Sequence, residues 1–191
     1  MKNKYKSIIV EGPIGVGKTT LATKLASSLG SEIMLEKFSE NPFLEKFYKD
    51  VGKFNKYTKT SKYALATQLY FLLQRADEFK GEEYQALKRN NIVSDYFIDK
   101  DKLFAKTILS SDEYLLYDRV HDGLKLNIEK PSLVIYLQTN AETLLNRIKE
   151  RGIKFEASIT EAYLQKIIDS YTQFFHSYKE SPLLIINTSN V

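Results

Sequence analysis

An α/β domain, with a five-stranded parallel sheet and helices on both faces, is what this chain predicts, and three observations carry the prediction. Apolar runs of strand length alternate with longer stretches of helical periodicity. The first apolar run ends in a glycine-rich loop that leads straight into a helix. The run Leu133-Val134-Ile135-Tyr136-Leu137 is continuously apolar, as a parallel strand buried on both faces requires.

The elements follow in order. Tyr5–Val10 is the first expected strand, with Ile8, Ile9 and Val10 as its β-branched core. After the glycine loop, Leu21, Leu25 and Leu29 recur on one helical face, beside Ala22 and Ala26, and Gly30 is the expected stop. Ile33–Glu36 is a short second strand. Asn41-Pro42 is expected to open a short helix carrying Phe43, Leu44 and Phe47, because proline suits the first helical position. Lys49–Lys62 is polar, lysine-rich and carries Gly52, and reads as a loop or irregular helix entry. Ala64–Lys80 is a helix, with Leu65, Leu69 and Leu72 at helical spacing. A polar stretch leads to a third strand, Ile92-Val93-Ser94-Asp95, which ends in an acid. Asp99–Leu109 and Glu113–Ile128 are two further helices, and Pro131 precedes the fourth strand. Ala141–Arg151 is helical, Gly152–Ala157 breaks the pattern, and Thr160–Tyr178 resumes it. Pro182 leads into a fifth strand, Leu183–Ile186. Helical crossovers between parallel strands cover both faces of the sheet. No repeat, low-complexity tract or linker divides the chain, so residues 1–191 read as one domain with a lid at about 151–157.

Composition removes several function classes. The 191 residues are enough to bury a sizeable core, and 43% hydrophobic with 27% charged is a globular balance. No run is apolar long enough to cross a bilayer, so no membrane partner is expected. Zero cysteines exclude disulfides, iron–sulfur clusters and thiol catalysis. His121 and His176 are isolated within expected helices, so a zinc site built from Cys and His is not expected. The formal charge of +4 is mildly basic, the basic residues are dispersed, and no nucleic-acid-reading motif is present. No nucleic-acid partner is therefore expected. The opening MKNKYKSIIVEG lacks the apolar core of a signal peptide, which makes the cytoplasm the expected location. The arginines are few: Arg75, Arg89, Arg119, Arg147 and Arg151. That matters because arginine is the usual bidentate grip on phosphate.

The strongest signal is Gly12-Pro13-Ile14-Gly15-Val16-Gly17-Lys18-Thr19-Thr20. It satisfies G-x-x-x-x-G-K-(S/T), with a strand before it and a helix after it. Glycines let the backbone turn its N–H groups toward a polyphosphate, and the helix N-terminus adds donors and a favourable dipole. Lys18 is expected on the β/γ-phosphates of ATP and the Thr19 hydroxyl on Mg²⁺. This is the phosphate loop of the P-loop NTPase fold. It implies binding of a nucleoside triphosphate but does not name an acceptor.

No guanine-reading Asn-Lys-x-Asp segment is present, and the chain is short for a motor or helicase. A small kinase remains, with its acceptor site at the C-terminal ends of the strands. Glu36, at the expected end of the second strand, is placed to take a proton from an attacking hydroxyl, although position alone fits a solvated loop acid equally well. Asp95, after the third strand, is placed to help hold Mg²⁺ or to cap the next helix. Gln68 and Arg75 lie about two turns apart on one helical face, where an amide suits a nucleobase edge. Phe71 is near that face. Arg147 and Arg151 lie one turn apart at a helix end, where guanidiniums facing the loop would neutralise the transferring phosphoryl group. Glu156 follows in the lid, which would exclude water.

On these residues the chain resembles the deoxynucleoside kinase family, specifically its small bacterial deoxyadenosine/deoxyguanosine kinase-like members. The segments IVEGPIGVGKTTLA, LEKFSENPFLEKFY, YALATQLYFLLQR, IVSDYFIDKDKLFA, LVIYLQTNAETLLNRIKERG and PLLIINT carry the likeness through nearly the whole chain. The resemblance implies phosphoryl transfer from ATP to the 5′-hydroxyl of a deoxynucleoside, a five-stranded parallel sheet and a homodimer. It implies Glu36 as the base, Gln68 as reader of the nucleobase, and Arg75 beside it, bridging to Glu36 or to substrate. Tyr48 and Glu156 match the pair that holds the sugar 3′-hydroxyl, and Arg147 and Arg151 match the lid arginines. Subgroup likeness implies a purine substrate. The chain also departs from the family pattern. Animal members carry Glu-Arg-Ser after the third strand, where this chain has Ser94-Asp95-Tyr96 and no arginine. The usual lid Arg-Gly-Arg is Arg151-Gly152-Ile153 here, with Lys154 next as a replacement charge. The longer segment between Tyr48 and Tyr63 lets Tyr57 compete with Tyr48 for the sugar.

Two other readings share the phosphate loop. A nucleoside monophosphate kinase, such as thymidylate kinase, would want an Asp-Arg pair after the third strand, and Asp95-Tyr96 lacks it. Asp118-Arg119 has the right letters but falls within an expected helix. A non-catalytic nucleotide-binding module would bind ATP without acceptor-dependent turnover.

Overall fold

The computed structural model describes residues 6–51, 61–126 and 128–190. The elements run β1 (Ser7–Glu11), α1 (Lys18–Leu29), β2 (Glu32–Met34), α2 (Leu44–Val51), α3 (Ala64–Lys80), α4 (Glu82–Leu87), β3 (Ile92–Ser94), α5 (Asp99–Ile108), α6 (Ser111–Gly123), β4 (Leu133–Gln138), α7 (Ala141–Arg151), α8 (Glu161–Ser177) and β5 (Leu183–Asn187). The strands form one parallel sheet in the order β2-β3-β1-β4-β5, with helices on both faces. Ile9 sits opposite Ser94 on one side and Val134 on the other. Val10, Val93 and Val134 are fully buried across the three central strands. No described helix is long and apolar enough to cross a membrane.

Local chemistry explains where the boundaries fall. In α1 the buried stripe is Ala22 and Ala26, while Leu21 and Leu25 are half-buried and Leu29 is exposed. Small side chains let α1 lie close against the sheet. Gly30 ends the helix in the left-handed region, with φ 59°, as its sequence position predicts. Pro42 does not open α2. Asn41 Oδ1 accepts the Phe43 N–H at 3.0 Å in an Asx turn, and the helix starts at Leu44 and runs on to Val51. The second strand stops at Met34, so Glu36 lies in the loop beyond it.

The helix expected over Glu113–Ile128 begins earlier and ends earlier. Ser110 and Glu113 form a reciprocal capping box that starts α6 at Ser111, and the left-handed Lys125, with φ 47°, follows its end. α4 was not expected, because its six polar-rich residues show no apolar period. Tyr84 packs edge-on against Phe79 with ring centroids 4.8 Å apart, and this tertiary contact holds the turn. Tyr57 lies outside the described residues.

β1 lies between β3 and β4, so the chain leaves it where the strand order reverses, which in open parallel sheets is where a ligand crevice forms. The first residue out is Gly12, with φ 151°, and a Cβ there would stand 2.4 Å from the Leu137 carbonyl oxygen on β4. No flexible side-chain end is available to yield. Gly12→Ala is expected to cost about 2–4 kcal/mol and to lower Tm by roughly 5–10 °C. Gly123→Ala, where a Cβ meets open space, should leave Tm within about 2 °C. Thermal unfolding followed by circular dichroism checks both.

Candidate active site

The phosphate loop, α3, the start of α5 and the lid enclose a cavity of about 120 Å³. The loop wraps around Lys18, whose Nζ donates to the Gly12 carbonyl at 2.8 Å and the Pro13 carbonyl at 3.1 Å. Burial pushes the Lys18 ammonium below its ordinary range, and the charge of Glu11 opposes that push. Gly15 lets α7 pack directly on the loop, since a Cβ there would be 3.0 Å from Ile148 Cγ1 and 3.2 Å from the Leu144 carbonyl.

Asp95 ties the loop to the exit of β2. Thr19 Oγ1 donates to Asp95 Oδ2 at 2.5 Å, and the Glu36 N–H donates to Asp95 Oδ1 at 2.8 Å. A hydroxyl and a carboxylate side by side make a hard-oxygen pair of the kind Mg²⁺ takes alongside waters and phosphates. Among the described residues no cluster of three or more His, Cys, Asp or Glu could hold a metal by itself. The pair therefore fits Mg²⁺ bound together with a nucleotide.

The Glu36 carboxylate is held at both oxygens. Arg75 donates to Oε1, and Lys100 Nζ donates to Oε2 at 2.9 Å. Arg75 also pairs with Asp101, and its guanidinium lies 5.1 Å from the Phe71 ring centroid and 5.4 Å from that of Tyr96. Burial pushes the Glu36 carboxyl up, but Lys100 and then Arg75 pull harder and hold it at about 2. Gln68 lies buried on the same wall as Arg75, and among the described residues its side chain makes no protein hydrogen bond. Asp101 Oδ2 is likewise buried without one.

At the other end, Tyr48 stacks on Phe155 with ring planes 2° apart and centroids 6.4 Å apart. Burial, then Tyr163 and Glu156, push the Tyr48 hydroxyl well above its ordinary range. Glu156 is buried in the 3-10 turn Lys154–Glu156 and accepts a hydrogen bond from Arg151 at 2.6 Å. Burial raises its pKa, and Arg151 opposes the rise. Arg151, Glu156 and Tyr48 all line the cavity. Arg147 does not. Its NH1 and NH2 donate to Thr188 Oγ1 at 3.2 Å and to the Thr188 carbonyl at 2.6 Å, just beyond β5. In this structure Arg151 is the one of the two that lines the cavity, and Arg147 is bonded to Thr188. Lys154 is exposed and outside the cavity. Asp118-Arg119 lies within α6, with Asp118 paired to Lys102.

A larger cavity, about 380 Å³, is lined by residues that enter the strands, among them Lys6, Asn90 and Pro131. No residue of the phosphate loop reaches it, so the chemistry belongs to the smaller one.

The deoxynucleoside kinase family model matches residues 8–191. The chain belongs to that family. It is a phosphotransferase that converts a deoxynucleoside to its monophosphate, which sets aside the monophosphate-kinase and non-catalytic readings. It is 33% identical to the deoxyguanosine kinase of Bacillus subtilis over 88% of this chain and 78% of that one. It is 30% identical to the deoxyadenosine kinase of Lactobacillus acidophilus over 94% and 84%. Its fold superposes on a deoxyadenosine kinase from M. mycoides with bound dATP, with TM-score 0.78 and 28% identity over 95% and 90% of the two chains.

Sequence reasoning missed Lys100 and Asp101. A signal was present. Lys100 occupies the first turn of α5, the positive end of the helix dipole, where a lysine is locally unfavourable. A local rule broken by a buried residue marks a site whose reason lies elsewhere.

Removing Arg75 would strand the buried Asp101 carboxylate and leave Glu36 with Lys100 alone. Arg75→Met is expected to lower stability by about 3–5 kcal/mol in urea unfolding, and Asp101→Asn in the same chain should recover part of it. The depressed Glu36 value gives a second expectation. The stability it contributes is fully present above its ordinary value of 4.5 and is lost as pH falls toward about 2. In Glu36→Gln that part of the acid loss of stability should be absent.

Proposed function

We propose that the enzyme transfers the γ-phosphoryl group of ATP, with Mg²⁺, to the 5′-hydroxyl of a purine deoxynucleoside, as a cytoplasmic homodimer. The observation that carries the reading is the Glu36 carboxylate sharing one cavity with Lys18 and the phosphate loop, with Asp95 bonded to both Glu36 and Thr19. A triphosphate in the loop and a sugar hydroxyl at Glu36 then face each other.

Each residue has a part. The backbone of Gly12 to Thr20 and the Lys18 ammonium bind the triphosphate. Mg²⁺ would be held by Thr19 and Asp95 and would neutralise charge on the phosphate oxygens. Glu36 accepts the hydrogen bond of the 5′-hydroxyl and aims its lone pair. At a pKa of about 2 it orients the hydroxyl before attack rather than deprotonating it beforehand. Gln68 and the open Asp101 oxygen offer a donor and acceptors to a base edge beside Phe71 and Phe104. Tyr48 and Glu156 reach the sugar from the lid side, and Arg151 brings a cation to the same wall. Arg147 is bonded to Thr188, beside β5. The names of the relatives in B. subtilis, L. acidophilus and M. mycoides support a purine.

The homodimer reading is supported by the outer faces of α3 and α6, which pack together. Leu73, Leu115 and Leu116 on them are 47%, 62% and 50% exposed. A second copy would cover them. Sedimentation velocity should show a dimer, and Leu115→Glu with Leu116→Glu should give a folded monomer.

The deciding assay supplies deoxynucleosides and their monophosphates with ATP and reads kcat/KM for each. Turnover of deoxyadenosine or deoxyguanosine is expected to lead. Glu36→Gln should lower kcat about 10²–10⁴-fold and leave ATP affinity within about threefold. Phosphorylation confined to monophosphates, or full turnover by Glu36→Gln, would overturn the reading.

A further inference from the structure

We propose that Lys100 is a catalytic residue, whose ammonium moves from Glu36 onto the oxygens of the transferring phosphoryl group once both substrates are bound. The proposal rests on the reaction proposed above and adds a residue to it.

Three features of Lys100 support this, and the first distinguishes it from Arg75, the other cation on Glu36 and also in the cavity. The first is its partner. Arg75 is shared between two carboxylates, Glu36 and Asp101, and clasped between the Phe71 and Tyr96 rings. That guanidinium is fixed. The Lys100 ammonium has one carboxylate, Glu36 Oε2 at 2.9 Å, and the face of Phe104 at 6.0 Å. The second is its place. Lys100 is buried, and it lines the same cavity as Lys18 and Thr19, close enough for the two ammoniums to repel. The third is its cost. A buried cation in the first turn of α5 is opposed by desolvation and by the helix dipole together. If only the position of Glu36 were at stake, a neutral donor would hold it with less penalty.

The sequence of events follows from the charges. The nucleoside 5′-hydroxyl donates its hydrogen bond to Glu36 and competes with Lys100 for that carboxylate. The triphosphate brings negative oxygens within reach of a lysine stem, which swings as a compact point charge. The 5′-oxygen–phosphorus bond then forms while the bond from phosphorus to the β-phosphate oxygen breaks. The hydroxyl proton passes to Glu36, and ADP leaves. Lys100 stabilises charge on the phosphoryl oxygens in the transition state and returns to Glu36 afterwards.

Steady-state kinetics on the full-length enzyme with ATP and a deoxynucleoside test this, using Lys100→Met and Lys100→Arg. Lys100→Met is expected to lower kcat about 10²–10³-fold, while KM for the nucleoside moves less than about fivefold. Lys100→Arg should recover at least about tenfold of the loss. If near-UV circular dichroism shows that Lys100→Met is not folded, Lys100→Gln, which keeps a polar contact to Glu36 without the charge, takes its place. A kcat within about threefold of wild type would overturn the proposal. So would a raised KM with kcat retained, which would assign Lys100 to holding Glu36 in the ground state. A loss that Lys100→Arg does not recover would assign it to packing, and overturn the proposal equally. Absence of nucleoside turnover in the wild-type enzyme would instead sink the reaction itself.

Discussion

The site depends on charge balance inside one small cavity. Glu36, Asp95 and Asp101 bring negative charge, and Arg75, Lys100 and Lys18 bring positive charge. Arg75 is 4% exposed, so its guanidinium needs carboxylates in contact. Glu36 and Asp101 answer that requirement from different elements, one after β2 and one in α5. Truncating Arg75 leaves Asp101 buried without its cation, which costs more than the pair gains in forming. The cluster is therefore a positional lock. It links α3, α5 and the exit of β2, and it keeps Glu36 in the cavity that the phosphate loop also lines.

The sheet explains why these groups meet at all. β1 delivers the loop and β3, its neighbour, delivers Asp95, so Thr19 and Asp95 come within hydrogen-bond distance although they are far apart in sequence. β2 pairs with β3 on its other side and ends at Met34, which lets the Glu36 N–H turn toward the same Asp95 carboxylate. Asp95 accepts the Glu36 N–H and does not cap the next helix, α5, which begins without a side-chain cap.

What could be read from the sequence follows how local each feature is. The phosphate loop is contiguous, and its spacing, flanking strand and following helix agree. The wall that carries Gln68 and Arg75 was legible because helical periodicity projects residues onto faces, and both side chains are buried there. The same projection failed for Arg147 and Arg151. A shared face fixes the direction of Cβ but not the reach of a long side chain, and Thr188 captured one of the two. In α1 the periodic leucines drew attention away from Ala22 and Ala26, the residues that are buried. Lys100 showed in the sequence only as a lysine in the first turn of a helix, and its partner, Glu36, arrives through the fold. α4 has no apolar period, and the start of α2 turned on an Asx turn that competed with the proline.

The lid is the remaining mechanical link, and it joins the two substrate sides. α7 touches the phosphate loop at Gly15 through Ile148, and its C-terminal end carries Arg151 and leads into the turn that holds Glu156. That turn packs Phe155 flat on Tyr48 and edge-on to Phe38, 6.3 Å away. A rigid helix thus connects the loop that grips triphosphate with the aromatic wall where the sugar is proposed to sit. The Arg151–Glu156 pair sits at the junction between α7 and that turn, with one partner 41% exposed and the other 2%. Burial of the carboxylate beside Tyr48 is therefore offset by a cation that comes from the end of the same helix that packs on the loop, so one element sets both walls of the cavity.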